Sequence, residues 1–275
     1  MDRRKQTFVR ELSKFMNIIT VTKNDNYLSI DKLIFTITEN IKRLKSKYLL
    51  VDLCSDTPLY LNSEISFFGN KIHHLVVKPS VLNNNGLNPN IFYEYFAKNI
   101  GMRNSEENYS LLINSDIIVS DEFTNTINKF INDKTTNFCL RSNWRIDINY
   151  GESIKQQKYI EISRFDTMCG EGITGGYAGD IIFMDTDTFK KSRGYNEIDS
   201  QCRISKQTHL DRGYLKKLKT SNVNIISSDS CYHLYHNNRV NDLKGTDDHN
   251  YINNENWGFA NSKREQIAEN VTILT

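Results

Sequence analysis

The hydrophobic pattern in the first half of the chain switches repeatedly between two periods. Short apolar runs that end in polar residues read as buried strands: Met16 to Val21, Tyr48 to Leu53, His73 to Val77 and Tyr109 to Ile113. Between them, apolar residues recur at helical spacing over about Ile30 to Arg43, about Leu59 to Phe68, and Ile91 to Gly101. Gly101 is expected to end its helix by entering the left-handed region. Ahead of the first strand, Phe8, Leu12 and Phe15 predict an amphipathic packing helix over Arg3 to Phe15. Alternating strands and helices of this length predict a parallel sheet with covering helices.

Beyond about residue 135 the pattern becomes strand-rich, with glycine clusters, over Phe138 to Ile148, Gly172 to Met184 and Val223 to His236. A helix is expected around Thr208 to Leu218. The stretch from His249 to Ser262 is polar and without period, a loop or flap, and a short helix is expected near Asn261 to Asn270. We read 1–275 as a single α/β domain. A nucleotide-binding half covers about 16–118, an acceptor half about 135–240, and a tail or flap 241–275. Ligands of such sheets bind beyond the carboxyl ends of the strands. Three polar strand ends fall there: Thr20 to Asp25, Asp52 to Asp56, and Asn114 to Asp116.

Composition narrows the partners. The 35 Lys and Arg against 33 Asp and Glu give a net charge of +2, which supplies no electrostatic drive toward nucleic acid or an anionic membrane. The 5 cysteines are scattered without a C-x-x-C pair, so neither a disulfide framework nor a zinc site is suggested. No run of about 18 apolar residues and no signal-like h-region occurs, and a cytoplasmic location without a transmembrane segment is expected.

The chemistry is concentrated at acidic strand ends. In Tyr109-Ser110-Leu111-Leu112-Ile113-Asn114-Ser115-Asp116, the carboxylate of Asp116 stands just past a buried strand, with Asn114 on the same side of an extended chain. That placement suits a divalent cation that neutralises a leaving diphosphate. An Asn-Ser-Asp sequence is also a common turn, so the neighbouring motifs carry the weight.

Lys98-Asn99-Ile100-Gly101 running into Tyr109 and Asn114-Ser115-Asp116 resembles a block of inverting GT-A glycosyltransferases. The similarity continues in Thr20-Val21-Thr22-Lys23-Asn24-Asp25 and in Leu50-Val51-Asp52-Leu53-Cys54-Ser55-Asp56, which looks like the segment that contacts the base. It also includes Gly179-Asp180 and Arg193-Gly194-Tyr195-Asn196-Glu197, similar to the acceptor-side block. Three positions depart from the pattern: Asn114 replaces the first acid of D-x-D, and Ser105 and Glu107 replace small residues. The resemblance implies a Rossmann-like GT-A domain with a mixed, mostly parallel central sheet. It also implies a hexosyltransferase that moves a sugar from a nucleotide diphosphate, UDP by family frequency, to a glycan or other hydroxyl acceptor. The cofactor implied is Mn²⁺ or Mg²⁺.

On that resemblance, Thr20, Thr22, Asn24, Asp52, Lys98, Asn99, Asn114, Ser115 and Asp180 are expected at the donor, and Asp116 at the metal. Tyr232-His233-Leu234-Tyr235-His236 resembles the late histidine of metal-dependent members. In a strand His233 and His236 would face opposite ways, so one metal ligand is expected, His236, with His233 in the core. An inverting reaction needs a general base; Asp211 is the first candidate, with Glu197 and Asp199 as others, and binding of the acceptor or donor sugar is the alternative role for Glu197. Arg141 to Asp147 places two arginines and Trp144 close together, and no site role is assigned to them. Two other readings compete. A nucleotidyltransferase would show a glycine-rich, lysine-containing loop after the first strand, and Lys23-Asn24-Asp25-Asn26 has no glycine. A silent sugar-binding domain would have lost the acidic residues, and Asp116, Glu197, Asp211 and His236 are all present.

Overall fold

The computed structural model describes residues 16–24, 29–167, 181–197, 207–208, 210–236, 243–244 and 252–275. The helix expected over Arg3 to Phe15 and the candidates Asp180 and Asp199 lie outside them. The first half alternates as its periodicity predicts. β1 (Met16–Thr22), β2 (Lys47–Leu53), β3 (Ile72–Val77) and β4 (Tyr109–Ile113) are parallel neighbours, in the order β3-β2-β1-β4. Alternate side chains of β1 enter opposite cores: Ile19 and Val21 go to one, Met16 and Ile18 to the other.

Helix α1 (Ile30–Leu44) buries Leu33, Thr36, Ile37, Asn40 and Leu44, one stripe at helical spacing, against the Ile18 face, and it stops at Lys45 in the left-handed region. The helix expected over Leu59 to Phe68 is interrupted. After a 3₁₀ turn at Leu59–Leu61, Asn62 accepts the backbone N–H groups of Glu64 and Ile65 and starts a separate one-turn helix, α2 (Ser63–Ser66). A short helix, α3 (Pro79–Asn84), follows β3.

On the Ile19 face lies α4 (Glu94–Asn104), buried from Tyr95 to Met102. Gly101 does not end it. A Cβ at Gly101 would stand 2.5 Å from the Cγ2 of Ile19 and 3.0 Å from that of Val51, so the glycine lets the helix lie directly on β1 and β2.

After β4 come β5 (Ile117–Val119), α5 (Asp121–Asn132), the long β6 (Phe138–Ile148), α6 (Tyr150–Gln156), β7 (Glu161–Asp166), β8 (Ile181–Asp185) and α7 (Thr186–Ser192). β9 (Gln207–Thr208), α8 (Leu210–Thr220), β10 (Asn224–Leu234) and β11 (Leu243–Lys244) complete this half, with β9 and β11 paired in a small sheet of their own. The large sheet continues past β4 as β8-β6-β10-β5, with β7 against β6. β8 is antiparallel to β4 and β6, and β6 and β10 are parallel. The result is the expected α/β fold with a mixed, mostly parallel sheet.

The end of the sequence differs from expectation. Arg264–Ala268 and Val271–Leu274 form β12 and β13, and β13 runs parallel to β3. Three of the four residues of β13 are β-branched, and the open edge of β3 supplies a partner that no local period announces. Nor is the preceding stretch a flap in its described part. Trp257 and Phe259 are buried against α4, where Phe259 stacks on Phe96 with centroids 5.6 Å apart and the Arg103 guanidinium lies over the Trp257 ring.

Candidate metal centre and donor site

β1, β2 and β4 are parallel, so Thr22, Leu53 and Ile113 finish at one edge of the sheet, and the three polar strand ends converge there. The turn between β4 and β5 is fixed from α1. Thr36 Oγ1 donates to the Ser115 carbonyl at 2.7 Å. Asn40 gives its amide N–H to the Ile117 carbonyl at 2.8 Å and accepts the Val119 N–H at 2.9 Å, so a helical side chain satisfies the free edge of β5. From the other side the Leu234 N–H donates to the Asp116 carbonyl at 2.9 Å.

Register then assembles the centre. β10 lies between β5 and β6, with His233 opposite Ile117 on one side and Asp147 on the other. His233 Nε2 stands 3.2 Å from Asp116 Oδ2, and its Nδ1 2.9 Å from Asp147 Oδ1. β10 ends at Leu234, so strand alternation no longer governs His236, whose Nε2 reaches the same Asp116 oxygen at 3.1 Å. Both histidines therefore face Asp116, which corrects the expectation that only one could. One ligand atom from each of Asp116, His233 and His236 lies within 4.8 Å of the others.

Charge follows the geometry. Burial alone would raise the Asp116 carboxyl, but the charge and hydrogen bond of His233, joined by His236, hold it well below the usual carboxylate range. Burial would lower His233; the Asp116 carboxylate and the bond to Asp147 overcome it and raise the imidazole to about 9. Asp147 is lowered, against its burial, by His233 and Arg145. Among the described residues, none gives a hydrogen bond to the buried Asp116 Oδ1. A buried carboxylate with one open oxygen beside two imidazoles fits a divalent cation that accepts mixed oxygen and nitrogen ligands.

The other candidates divide into three groups. Asp52 is fully buried, and its Oδ2 accepts the Leu59 N–H at 2.8 Å, while the Asn24 N–H donates to Ser55 Oγ at 2.7 Å, so the ends of β1 and β2 are tied together. Thr22 pairs in register with Asp52. Thr20 is turned into the core, its hydroxyl 3.4 Å from that of Tyr48.

The second group is a knot around Asn99. Its amide donates to Glu197 Oε1 at 2.7 Å and the Tyr195 carbonyl at 2.9 Å, and its Oδ1 accepts the Tyr195 N–H at 2.9 Å. Glu197 Oε1 also accepts the Gly258 N–H at 2.8 Å, and the Glu197 N–H donates to Asn253 Oδ1. Gly194 has a positive φ, and a Cβ there would stand 2.2 Å from Asn99 Oδ1. Burial raises the Glu197 carboxyl to about 7.

The third group borders the aromatic layer under α4 and α8. Lys98 is fully buried, pairs with Glu94 at 2.6 Å and lies 5.0 Å over the Tyr95 ring. Asp211, in the first turn of α8, shares a hydrogen bond with Tyr95, whose hydroxyl is raised by burial and then by that carboxylate.

Asp147 and Arg145 are the participants that the sequence did not reveal. Arg145-Ile146-Asp147 places them two apart on a strand, hence on one side, but only the register with β10 brings them to His233.

The sheet order, the helices on both faces and the metal-ready turn after β4 can be compared with solved structures. S. aureus TarS superposes with a TM-score of 0.51 at 15% identity over 80% of this chain. GalNAc-T7, in a structure with UDP, GalNAc and Mn²⁺, gives 0.54 at 11% identity over 82%. The chain has the GT-A fold. It spans 37% of the TarS chain and 45% of that of GalNAc-T7, so the GT-A unit is what they share. No family model and no curated protein matches the sequence. Among the described residues, no helix of this GT-A chain is long and apolar enough to cross a membrane.

Proposed function

We propose that this protein is a divalent-metal-dependent glycosyltransferase that moves a sugar from a nucleotide diphosphate, UDP being the first candidate, to the hydroxyl of a glycan or other acceptor. The observation that carries this reading is the buried Asp116 carboxylate at the carboxyl edge of a GT-A sheet, with two imidazoles on Oδ2 and, among the described residues, no partner on Oδ1. Asp116, His233 and His236 would hold the cation. Bound there, it neutralises charge on the departing diphosphate. A ligand set with two imidazoles favours Mn²⁺ over Mg²⁺, which prefers oxygen and retained water. Thr22, Asn24 and Asp52 border the nucleotide at the ends of β1 and β2, together with Asn114 and Ser115 before the metal carboxylate.

Asp211 takes the proton from the acceptor hydroxyl, and attack opposite the leaving group inverts the anomeric configuration. Asn99 and Glu197, committed to each other and to the backbone of residues 195 and 258, hold the acceptor-side block in shape, and Lys98 places its ammonium over the Tyr95 ring. Cys54, Cys139 and Cys231 are buried and form no disulfide among the described residues, which favours a reducing compartment such as the cytoplasm.

The test is a panel of nucleotide sugars with and without Mn²⁺, scored by thermal shift and then by release of nucleoside diphosphate. Stabilisation and turnover with one donor, dependent on Mn²⁺, are expected. Metal-independent turnover would remove the metal assignment, and no response to any donor would remove the transferase reading.

A further inference from the structure

Metal-binding histidines use one ring nitrogen, and the hydrogen bond made by the other fixes which one is available. His233 has both nitrogens engaged by carboxylates from different strands: Nε2 faces Asp116 Oδ2 and Nδ1 faces Asp147 Oδ1. The second contact is built into the sheet, because Asp147 and His233 are register partners on parallel strands. Asp147 is in turn held. Arg145, two residues earlier on β6, donates Nε–H to Asp147 Oδ1 at 3.0 Å, and its Nη2 lies 2.8 Å from Nδ1 and 2.9 Å from Nε2 of His233. Ser163, on the neighbouring β7, approaches the other Asp147 oxygen at 3.4 Å. An ion pair serving stability alone needs only Arg145 and Asp147. Here the same carboxylate oxygen is shared with the imidazole that faces the metal carboxylate.

We propose that Asp147 is a positioning residue for the metal centre: by accepting the Nδ1 proton of His233, it fixes the tautomer and ring orientation in which Nε2 is presented to the cation held with Asp116. This inference rests on the reading of Asp116, His233 and His236 as metal ligands. Arg145 keeps the Asp147 carboxylate aimed along β6 at the ring. The site thus extends over four strands, β4 and β5 through the turn that carries Asp116, β10, and β6.

The experiment compares the wild-type chain with Asp147→Ala and Asp147→Asn. Mn²⁺ affinity is measured by electron paramagnetic resonance titration, and the ring ¹⁵N shifts of His233 are read in the protein loaded with diamagnetic Cd²⁺. Asp147→Ala is expected to bind Mn²⁺ roughly 10- to 100-fold more weakly, the usual effect of losing such a partner. Asp147→Asn retains an acceptor for the Nδ1 proton and should recover most of that loss, with His233 still protonated at Nδ1. If Asp147→Ala fails to fold, the Asn variant and the wild-type spectrum still decide: protonation of His233 at Nε2 in the Cd²⁺ form overturns the proposal. Wild-type Mn²⁺ affinity in a folded Asp147→Ala chain overturns it while leaving the ligand assignment intact. Absence of Mn²⁺ binding by the wild-type chain overturns both.

Discussion

Asp116 and Glu197 are both largely buried carboxylates, and the structure treats them in opposite ways. Asp116 shares one oxygen with two imidazoles, leaves the other open, and is held far toward its ionised form. Glu197 accepts from an amide and a backbone N–H, and these neutral donors together with the charges of Arg103 and Lys217 do not offset its desolvation, so its carboxyl is raised to about 7. Burial is common to the two. Imidazoles bonded directly to the Asp116 carboxylate outweigh its desolvation, whereas the charges of Arg103 and Lys217, acting on Glu197 without such a bond, do not.

The sharpest way to break the comparison is Asp116→Ala. Transfer should fall by about 1,000-fold or more, on the order of 4 kcal/mol, with Mn²⁺-dependent stabilisation lost. Full turnover in this variant would mean that the open oxygen of Asp116 serves no cation. Next in size is the third carboxylate, Asp211, which contacts Tyr95. Asp211→Asn should lower kcat by on the order of 10²–10⁴ with donor affinity unchanged. A near-normal kcat, or product with the donor's anomeric configuration by NMR, would return the base role to Asp199 or Glu197, or end the inverting assignment.

Glu197→Ala should act on the fold. It leaves the Asn99 amide and the Gly258 N–H without their acceptor, a loss of roughly 2–4 kcal/mol, visible as a lowered urea midpoint, while Mn²⁺ affinity stays at the wild-type value. A stable variant that has lost Mn²⁺ would erase the distinction between the two acids. The smallest effect is in pH. The Glu197 carboxyl is raised in the folded state from an ordinary value of 4.5 to about 7, so the folded chain binds a proton that the unfolded chain has released between these values. Its contribution to stability is therefore complete below about pH 4.5 and is lost as pH rises through 7, by up to about 3 kcal/mol. Glu197→Gln should flatten that part of the stability profile; an unchanged slope would assign it to another group.

Much of this arrangement is legible in the sequence, and the boundary is physical. Strands that end in polar residues and helices with one apolar stripe are local patterns, so the carboxyl edge can be read directly, whereas Asp116 is singled out there by the family resemblance of its neighbouring motifs. His236 is singled out in the same way, by the resemblance of Tyr232 to His236 to the late histidine of metal-dependent members. Asp147 is not, because its partner is 86 residues away and the pairing depends on the register of two long strands. Gly101 illustrates the reverse error. A glycine near the end of an apolar helix suggests a stop, yet its absent side chain admits β1. The two strands after residue 263 were hidden because the partner of β13 lies near the start of the chain.

That last pairing bears on the order in which the molecule takes shape. His73 meets Thr272 across 199 positions of chain, one of the longest closures in the sheet. Contacts of such separation form late, because loop closure must precede any gain from the contact. β1, β2 and β3 can associate early through local helices, but the outer edge of β3 stays open until the far segment arrives, and an open strand edge is a template for pairing with other chains. Assembly of the sheet in the first half of the chain is thus finished by residues remote from it. The amides of β13 and the outer edge of β3 should be the last of the sheet to gain protection from hydrogen exchange, and the interval before they do is when the chain is most exposed to aggregation.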